Sequence, residues 1–458
     1  MFCAILLLVR PLATSLPFIA TGALLVCACA DFRTGPLDGA LSDGPDSAPP
    51  LKLNAYRLSA GEAFTCALCS RSGITLPCCW GSNEKGQLGT GLGKNSVGDE
   101  AGEMRNLKPA SVGSLGSAKV LGVAVGGVHA CAWTDSGVRC WGYNQYGQLG
   151  YGDTTSRSEP AQLGSALQTV DIGTGFLASA VVLGYDHTCA VSAASVRCWG
   201  SNEKGELGIG SSVAAIGDAS GEMGKDLVDT SIGGTAATVS TGKNVTCIVT
   251  NDGKVACYGA ASLVGLGGAA DVGRNVSQVG ALAVTLDLGG KVKSVAAGEA
   301  HVCALLEDGN VKCWGENSSG ELGYEGPAVL SANATIASVS LGSKALAIAT
   351  GGSTTCAIVD GGLVKCWGDN RYGQLGIGTK TPQSAATAVA QRAPFLVREQ
   401  RTVELSVGGG HVCAYVEGDV IYCWGRNDKG QLGIDNANDI GDEASEMAAL
   451  VSVNLLDK

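Results

Sequence analysis

Apolar and polar residues alternate in short runs along most of this chain, and each run is followed by a turn and a second run. In one copy of the pattern, residues 298–304 (Gly-Glu-Ala-His-Val-Cys-Ala) end the first run, residues 307–310 (Glu-Asp-Gly-Asn) supply the turn, and residues 311–315 (Val-Lys-Cys-Trp-Gly) return. Alternation with a period of two is typical of β-strands, and Gly and Asn tolerate the positive φ angles of tight turns. No sustained apolar stripe with helical spacing accompanies these runs. The pattern therefore predicts β-hairpins along the chain.

The hairpin recurs seven times. Its second cysteine is followed by Trp in six copies and by Tyr258 in the fourth. These cysteines lie 53 to 61 residues apart: Cys79, Cys140, Cys198, Cys257, Cys313, Cys366 and Cys423. One such hairpin cannot bury its faces alone, so neighbouring copies must stack. Seven similar sheets stacked radially close into a ring with few exposed edges. The predicted fold is all-β, a seven-bladed β-propeller over residues 51–458.

A longer motif follows each Trp. Four copies read Trp-Gly-x-Asn-x-x-Gly-Gln-Leu-Gly in full: residues 80–89, 141–150, 367–376 and 424–433. Glu replaces Gln at Glu206 and Glu321, and the fourth copy is degenerate over residues 258–267. Together with the Gly-x-x-His strand before it, this motif resembles the repeat of the regulator-of-chromosome-condensation family over about nine-tenths of the chain. The resemblance implies the seven-bladed fold but no particular function, because one fold hosts many functions.

Composition and charge exclude several classes of protein. Glycine accounts for 69 of 458 residues, about twice the share of roughly 7% in ordinary proteins. The 12 prolines and the absence of a glycine period exclude collagen and proline-rich disorder. The formal net charge is −11, and no basic run is present. Nucleic-acid binding needs Lys and Arg to neutralise phosphates, so we expect no nucleic-acid partner and no charge-driven adhesion to anionic lipid.

Cysteine usage indicates an oxidising compartment, because the chain has 19 cysteines. Fourteen of them flank the hairpin turns, one pair in each copy: Cys66–Cys79, Cys131–Cys140, Cys189–Cys198, Cys247–Cys257, Cys303–Cys313, Cys356–Cys366 and Cys413–Cys423. Opposite residues of a hairpin lie close enough for a disulfide, and cytosolic relatives of the family that the chain resembles typically lack this pair. In the first copy, Cys69 and Cys78 predict a second bridge on the other hairpin face, since side chains alternate faces. A zinc or redox site is the alternative, but zinc ligands must converge on one point.

The N-terminal segment is predicted to direct export. Residues 1–29 are apolar with Arg10 as their only charge, and residues 26–29 (Val-Cys-Ala-Cys) resemble a bacterial lipobox in which Cys29 would carry the lipid. A plainly cleaved signal and an uncleaved anchor are the alternatives, because a lone Arg10 makes the match imperfect. Residues 30–50 are predicted to be a flexible tether. We therefore expect an extracytoplasmic protein, either an outer-membrane or cell-surface lipoprotein or a secreted one, that is a monomer and contacts a membrane only through its N-terminus.

The histidines are predicted to be structural. One repeat position, two residues before the first cysteine, holds all four histidines and three other residues: His129, His187, His301, His411, Phe64, Val245 and Thr354. A position that accepts Phe, Val or Thr is a packing position. With every histidine assigned to the repeat, no Ser/His/Asp or Cys/His constellation remains. We therefore expect no catalysis, no cofactor and no metal.

Three copies carry a second shared string after Leu-Gly, at residues 97–104, 216–223 and 440–447. Each reads Gly-Asp followed by Glu-Met, and carboxylates in a glycine loop are possible calcium ligands. The alternating Asp/Asn spacing of calcium loops is absent. We predict longer connections between blades whose Met or Leu packs in the core, with calcium binding as the alternative.

The variable positions inside the Trp-Gly motif are the candidate binding rim. A repeat protein usually binds through positions that vary within a constant frame. Tyr143, Tyr146, Arg371 and Tyr372 have the side chains favoured at binding hot spots. Residues 174–183 and 391–401, including Phe395, are further candidates. The alternative is that all of these are ordinary solvated loops.

These observations predict an exported, lipid-anchored propeller that binds an extracytoplasmic protein or glycan through one face. A first alternative, implied by the family resemblance, is guanine nucleotide exchange on a small GTPase. It requires a cytosolic partner, which the cysteines and the export signal oppose. A second alternative is a secreted propeller hydrolase or lyase. It would need an acid/base cluster at the channel mouth built from residues outside the repeat.

Overall fold

The computed structural model describes residues 57–455, other than 72, 114–118, 194, 231–232, 269, 281–282, 326–335, 383–388 and 390–394. These residues form seven antiparallel sheets, so the prediction of an all-β, seven-bladed propeller is confirmed. No helix in this part of the chain has the length and apolar character needed to cross a membrane. The predicted signal, the lipobox Cys29 and the tether all lie outside the described residues.

Each repeat builds one blade from strands that follow one another in sequence. Blade 1 contains β1 (Leu58–Ala60), β2 (Phe64–Arg71), β3 (Ile74–Ser82) and β4 (Ser96–Val97); blade 2 contains β5 (Val120–Val125), β6 (His129–Thr134) and β7 (Gly137–Gly142); blade 3 contains β8 (Ala180–Leu183), β9 (His187–Val191), β10 (Val196–Ser201) and β11 (Ala215–Ile216). Blade 4 contains β12 (Ala236–Thr241), β13 (Val245–Thr250) and β14 (Val255–Gly259); blade 5 contains β15 (Val292–Ala297), β16 (His301–Leu306) and β17 (Val311–Gly315). Blade 6 contains β18 (Ala345–Gly351), β19 (Thr354–Val359) and β20 (Leu363–Gly368); blade 7 contains β21 (Thr402–Val407), β22 (His411–Val416) and β23 (Val420–Gly425). Short 3-10 turns lie in the connections at Met104–Asn106, Pro160–Gln162, Gly164–Ala166, Gly224–Asp226, Val276–Gln278, Asp360–Gly362 and Glu446–Ala449.

The outer edge of every blade is completed by a short segment of the connection that follows it. A backbone hydrogen bond of 2.8–3.0 Å joins this segment to the third strand: Ala110 to Pro77, Val170 to Val138, Thr230 to Val196, Leu286 to Val255, Val339 to Val311, Phe395 to Val364 and Val453 to Ile421. The third strand of each blade therefore has a backbone partner on its outer side as well. The outermost backbone of each blade is brief, which is how a propeller limits its exposed edges.

The ring closes by contact between inner strands. The first strand of each blade contacts the first strand of the next blade, and β21 of blade 7 contacts β1 of blade 1 in the same way. At this seam, the Ala60 amide donates to Ser406 Oγ at 2.8 Å and the Gly409 amide donates to the Gly61 carbonyl at 3.0 Å. β1 pairs with β2 of blade 1 and Val453 pairs with Ile421 of blade 7, so within the described ranges no strand is exchanged between the two blades. The seam is held by non-covalent contacts alone among the described residues.

Glu404 of β21 makes this seam sensitive to pH. Burial raises the pKa of Glu404 to about 8, although the backbone amides of Leu58 and Arg57 hydrogen-bond to its carboxylate and lower the pKa in part. The folded state therefore holds a proton that the unfolded chain, with an ordinary value of 4.5, releases. Stability from this group is complete below the unfolded pKa and is lost as the pH rises through the folded pKa.

We expect Glu404→Gln to flatten the fall in stability that the wild-type protein shows on the alkaline side. The free energy of unfolding, measured by chemical denaturation from about pH 5 to pH 9, should decline more steeply for the wild type than for the variant. Glu307→Gln, at an exposed hairpin turn of blade 5, is the control with the same charge change. Parallel pH curves for the wild type and Glu404→Gln would contradict the assignment.

The tryptophans lock neighbouring blades together. All six Trp side chains of the motif are fully buried, and each Nε1–H donates at 2.8–3.0 Å to the carbonyl at the Gln position of the preceding blade: Trp80 to Gln431, Trp141 to Gln87, Trp199 to Gln148, Trp314 to Leu263, Trp367 to Glu321 and Trp424 to Gln374. The glycine that ends the motif makes room for the ring, since a Cβ on Gly89 would lie 2.6 Å from Trp141 Nε1. The first residue of each motif thus contacts the preceding blade and its last residues contact the next one.

The same bond corrects the sequence alignment of the fourth repeat. Because Trp314 donates to Leu263, residues 263–265 (Leu-Val-Gly) occupy the Gln-Leu-Gly positions. A Cβ on Gly265 would lie 3.0 Å from Trp314 Nε1, as expected for the terminal glycine. Counting ten residues from Tyr258 places the end of the motif at Gly267 and is wrong. The loop of blade 4 is two residues shorter than that of the other blades.

All eight predicted disulfides are present. The seven pairs that occur once per blade join directly opposite residues of the second and third strands, with Cα atoms 4.0–4.1 Å apart. The additional Cys69–Cys78 bridge is diagonal, because the register places Cys69 opposite Leu76 and Cys78 opposite Ala67. Its Cα atoms are 5.9 Å apart. Every bridged cysteine is buried.

The four histidines lie between blades and are fully buried. Each Nε2 is 2.7–2.9 Å from the hydroxyl of a threonine that precedes the first cysteine of the next blade: His129 with Thr188, His187 with Thr246, His301 with Thr355 and His411 with Thr65. Three of these hydroxyls also donate to a backbone carbonyl, as Thr188 does to Gln148 at 2.9 Å. A hydroxyl has one proton, so the histidine must be the donor at Nε2. The position is structural, as the sequence predicted.

The junctions without histidine also lack the threonine. The corresponding pairs are Phe64 with Ala130, Val245 with Val302, and Thr354 with Val412. Polar partners thus occur together and apolar partners occur together, except at Thr354, whose hydroxyl donates instead to the Asp369 carbonyl at 3.2 Å. This pairing within one chain shows that the hydrogen bond, and not packing alone, determines the residue type at the histidine position.

Candidate binding face at the channel mouth

Two sets of loops share one end of the propeller. In blade 2, Gly126–Gly127 follows the end of the inner strand β5, and the Tyr143 amide of the Trp-Gly loop donates to the Val128 carbonyl at 3.1 Å. The hairpin turn between β6 and β7 lies at the opposite end of the strands. The Gly-x dipeptides of all seven blades line one cavity of about 100 Å³ where the central channel opens. We call this end the channel-mouth face.

The invariant residues of the Trp-Gly loops form their framework. In blade 2, Asn144 accepts from the Leu149 amide at 2.9 Å and donates to the carbonyls of Asp153 and Thr155 in the following connection. Gln148 Oε1 accepts from the Tyr146 amide at 2.9 Å. The frame of this loop is therefore built by the Asn and Gln side chains and does not require particular residue types at the variable positions. This supports the selection of variable positions as candidate binding residues.

The four predicted rim residues all lie on the channel-mouth face, in two clusters. In blade 6, the guanidinium of Arg371 is 5.9 Å from the centre of the Tyr372 ring, and Arg426 of blade 7 is 5.2 Å from the same ring. In the second cluster, Lys85 Nζ of blade 1 lies 5.6 Å from the centre of the Tyr143 ring of blade 2. Cation–π pairs of this kind orient exposed side chains.

An ion pair connects the two clusters. Lys429 Nζ of blade 7 is 2.8 Å from Glu84 Oε1 of blade 1, and Glu84 is the neighbour of Lys85. Tyr146 lies beside Tyr143, whose pKa is raised by burial and by the nearby Tyr146 and Asp186. A continuous band therefore crosses blades 6, 7, 1 and 2. We call it the rim arc: Arg371, Tyr372, Arg426, Lys429, Glu84, Lys85, Tyr143 and Tyr146.

A groove opens beside the rim arc between blades 1 and 2. Its volume is about 340 Å³, within the ordinary range of ligand clefts. Asn83, Lys85, Leu92 and Tyr143 lie along it, and Leu92 is exposed. A Cβ on Gly86 would lie 2.2 Å from Ser158 Cβ, so this glycine allows the two blades to meet at the groove floor.

Three charged residues and a tyrosine, from four blades, surround the channel mouth itself. They occupy the second position of the Gly-x dipeptide: Glu62 in blade 1, Tyr185 in blade 3, Lys243 in blade 4 and Glu299 in blade 5. Lys243 donates to Glu299 and lies 5.4 Å from the centre of the Tyr185 ring. Burial and the nearby Glu299 raise the pKa of Glu62. Sequence reasoning missed this cluster, although the varying residue after the glycine was a visible signal.

Family models for the regulator of chromosome condensation (RCC1) repeat match two sets of segments. One model matches residues 78–133, 136–191 and 362–415, and a second matches residues 292–321, 346–374 and 403–431. These segments contain the Trp-Gly loops that build the rim arc. The chain belongs to the RCC1 repeat family.

Several proteins are similar to this RCC1-repeat chain over most of its length. The ultraviolet-B receptor UVR8 of Arabidopsis thaliana is 28% identical over 404 residues, which cover 86% of this chain and 81% of the receptor. The mitochondrial RCC1 domain-containing protein RUG3 of the same plant is 29% identical over 381 residues, covering 80% of this chain and 79% of that one. Prp20p of Saccharomyces cerevisiae has the same fold, with a TM-score of 0.62 at 18% identity over 90% of each chain.

The remaining sequence candidates in this RCC1-repeat protein contribute to packing. Phe395 pairs with Val364 at the outer edge of blade 6, and its ring meets the Trp424 ring edge-on at 6.1 Å. In residues 174–183, Phe176 lies under the Arg197 guanidinium at 5.3 Å, away from the rim arc. Among the described residues of these two segments, neither Phe176 nor Phe395 joins the candidate site.

The three Gly-Asp and Glu-Met loops are closed by their own glutamates. Glu103 Oε2 accepts from the amides of Gly98 and Glu100 at 2.8 and 3.1 Å, and Glu222 and Glu446 make the equivalent bonds. Met104 is buried against Gly433 of blade 7. The loops are inter-blade connections, as predicted, and these carboxylates bind N–H donors. Across the described residues, no group of three or more His, Cys, Asp or Glu is arranged to hold a metal ion.

Proposed function

We propose that this RCC1-repeat protein is an exported, lipid-anchored, monomeric and non-catalytic module that binds a protein partner through the rim arc. The residue types and exposure of the rim arc support this proposal. Tyr and Arg dominate protein–protein hot spots, and here three tyrosines and two arginines lie in one band, with the Arg371 side chain 70% exposed. Cation–π pairing holds these side chains in place before binding, which lowers the entropy lost on association.

The relatives support protein binding in general. Prp20p of Saccharomyces cerevisiae binds Gsp1p and histones, and yeast RCC1 has been crystallised bound to Kap60. The net charge of −11 opposes a nucleic-acid partner, because phosphates need a basic surface. A glycan is the other partner class that an aromatic rim beside a polar groove would suit. We favour a protein because the arc extends over four blades.

Photo-crosslinking tests the rim arc directly. A benzophenone amino acid placed at Tyr146 or Tyr372 should give a discrete crosslinked protein in cells that express the protein, whereas the same group at Asp308, on the opposite end, should not. Tyr372→Ala and Arg426→Ala should each lower partner affinity about tenfold, as expected for hot-spot residues. Equal crosslinking from Asp308, or binding to a glycan array with no crosslinked protein from either tyrosine position, would reject the protein-binding proposal.

The export proposal rests on the eight disulfides, because such bridges persist in oxidising compartments and are rare in the cytosol. Intact mass before and after reduction and alkylation, on fractionated cells, tests it. We expect a mass that starts at Cys29 with added acyl chains and at least fourteen cysteines that alkylate only after reduction. Freely alkylating thiols in a cytosolic fraction would overturn export.

Guanine nucleotide exchange is the second candidate function. The secretion-regulating guanine nucleotide exchange factor of Bos taurus is 29% identical over 308 residues, covering 66% of this chain and 62% of that protein. Faster release of labelled GDP from small GTPases in the presence of the oxidised protein would favour this candidate. The eight disulfides oppose it, because its substrate is cytosolic.

A hydrolase or lyase would use the carboxylates at the channel mouth. Glu62 and Glu299 line the cavity there from separate blades. Asp186, whose pKa burial raises to about 6, lies outside this lining and accepts a hydrogen bond from Gln148 Nε2 at 3.1 Å. The cavity of about 100 Å³ is smaller than the roughly 300 Å³ at which ordinary small-molecule sites begin. Its size suits one side-chain head group and favours binding over catalysis.

A further inference from the structure

The channel mouth is built as a closed ring with an open centre. The amide of the x residue donates to a backbone carbonyl of the next blade at five junctions: Gly127 to Tyr185, Tyr185 to Gly242, Lys243 to Gly298, Glu299 to Gly352 and Gly409 to Gly61. These bonds fix the backbone and leave the x side chains over the cavity. Blades 2, 6 and 7 have glycine at x, so only blades 1, 3, 4 and 5 place an x side chain there.

The charges at this opening do not balance. The Lys243 ammonium group donates a hydrogen bond to Glu299 and lies over the Tyr185 ring. Glu62 is half-buried and has neither a hydrogen bond nor an ion pair within the described part of the chain. Thr350, which lines the same cavity, also has a hydroxyl without a partner there. A carboxylate and a hydroxyl therefore line one small cavity without a hydrogen-bond partner in the described part of the chain.

The space beside Glu62 is kept free by glycine. A Cβ on Gly409 would lie 2.8 Å from Glu62 Oε2, so any side chain at that position would displace the carboxylate. Burial and repulsion from Glu299 raise the pKa of Glu62, and the nearby Arg426 and Lys243 offset part of this rise. Both of these cations are already paired with other carboxylates, Arg426 with Asp428 and Lys243 with Glu299. A positive charge that entered the cavity would offset both the burial and the repulsion, because it would replace lost hydration and add attraction. The cavity of about 100 Å³ has room for one ammonium or guanidinium head group.

We propose that the channel mouth binds the cationic head group of a single Lys or Arg side chain of the partner, with Glu62 as its anion and the channel ring as its frame. This inference rests on the proposed protein-binding function and adds the chemistry of the central contact. The rim arc encircles much of the same opening, so a partner seated on the arc would place one side chain over the mouth. An aliphatic stem would lie along the Gly-x backbone, which has no side chains in blades 2, 6 and 7.

Small probes test the site without the partner. The probes are Nα-acetyl-arginine methylamide, its lysine counterpart and the neutral isostere Nα-acetyl-citrulline methylamide, titrated by NMR at low ionic strength. We expect the two cationic probes to bind in the millimolar range and the citrulline probe at least fivefold more weakly. Glu62→Gln should weaken the cationic probes about tenfold. Glu307→Gln, the same change at the opposite end of the propeller, should have no effect.

A second readout on the wild-type protein does not depend on the variant's folding. Binding of a cation favours the ionised carboxylate, so a saturating arginine probe should lower the pKa of Glu62, followed by the carboxyl carbon resonance. Absence of binding by both cationic probes at about 20 mM, corresponding to a free energy weaker than roughly −2.3 kcal/mol, would overturn the inference. So would equal binding of citrulline or an unchanged pKa. Crosslinking at Tyr372 would then still stand, so the two proposals fail separately.

Discussion

Refolding in excess reductant is expected to leave the chain unfolded at neutral pH and room temperature. Each of the seven bridges that occur once per blade closes a loop of 9, 10 or 13 residues. Closing a loop of that length stabilises a protein by about 2–3 kcal/mol at most on the chain-entropy model. Seven bridges together approach roughly 15–20 kcal/mol, whereas the net stability of a domain is about 5–15 kcal/mol. We therefore expect the folded propeller to be the populated state only when the bridges are formed.

The comparison is refolding from denaturant with and without dithiothreitol, followed by near-ultraviolet circular dichroism of the buried tryptophans. The oxidised chain should regain its spectrum and the reduced chain should not. Alkylation is avoided, because the bridged cysteines are buried and an alkyl group would itself prevent packing. Recovery of the full tryptophan signal in reductant would show that stacking alone closes the propeller.

A matched pair of double variants separates the entropic contribution from packing. Cys131→Ala/Cys140→Ala and Cys69→Ala/Cys78→Ala each remove a bridge with a sequence separation of 9. The second bridge lies inside the loop already closed by Cys66–Cys79. Its removal should cost less, by about 1–2 kcal/mol in the free energy of unfolding, because the unfolded hairpin stays constrained. Equal costs would assign the stabilisation to packing of the sulfur atoms.

The disulfides could be predicted from the sequence because both partners lie within one hairpin. Alternation and turn chemistry fix a local register, and the structure places Cys131 directly opposite Cys140 as that register requires. The repeat motif predicted the number of blades for the same reason. Each of these features is decided within about sixty residues of chain.

Contacts between blades were harder to predict. The seam joins Ala60 to Ser406, which are 346 residues apart, and no repeat pattern specifies how the first and last strands meet. The shortened loop of blade 4 was misaligned because its role is defined by Trp314 of the next blade. The channel-mouth cluster escaped prediction because its members come from four repeats and converge only when the ring closes.

The histidine position shows which features a single repeat predicts and which depend on the next repeat. Sequence comparison of the copies correctly predicted a structural role, but it did not find the hydrogen-bond partner. That partner is a threonine 54–59 residues away in the next copy for three histidines. Comparing each repeat with its neighbour, and not only with the consensus, would have found this partner. Wherever one repeat has the histidine, the next repeat has threonine before its first cysteine.

These histidines lead to the second large expectation, an acid-sensitive ring. Burial lowers the pKa of His129, His187 and His411 to about 3 and that of His301 to about 4, from an ordinary value of 6.5. Each Nδ1 is buried with no hydrogen-bond partner in the described residues, so protonation there would create a charge that nothing accepts. The unfolded chain binds more protons between these pKa values. Stability from the histidines is therefore complete above pH 6.5 and is lost as the pH falls toward the folded pKa.

The expected loss between pH 7 and pH 5 is about 2 kcal/mol for each histidine, or roughly 8 kcal/mol for four, since each pH unit below the unfolded pKa costs about 1.4 kcal/mol. Glu404 acts in the opposite direction over this range because its pKa is raised. The net curve therefore underestimates the histidine contribution. Differences between variants isolate it.

One junction of this propeller already has apolar residues at the histidine and threonine positions, and it suggests the variant to test. At the junction of blades 4 and 5, Val245 and Val302 replace the histidine and the threonine. His129→Val/Thr188→Val copies that solution at the junction of blades 2 and 3. We expect the double variant to stay within about 1.5 kcal/mol of the wild type at pH 7, as for a well-packed apolar replacement of a buried polar pair, and to recover about 2 kcal/mol of the acid-induced loss at pH 5. If the variant and the wild type lose equal stability between these pH values, protonation of His129 is not coupled to unfolding, and the acid sensitivity of the ring must come from carboxylates instead.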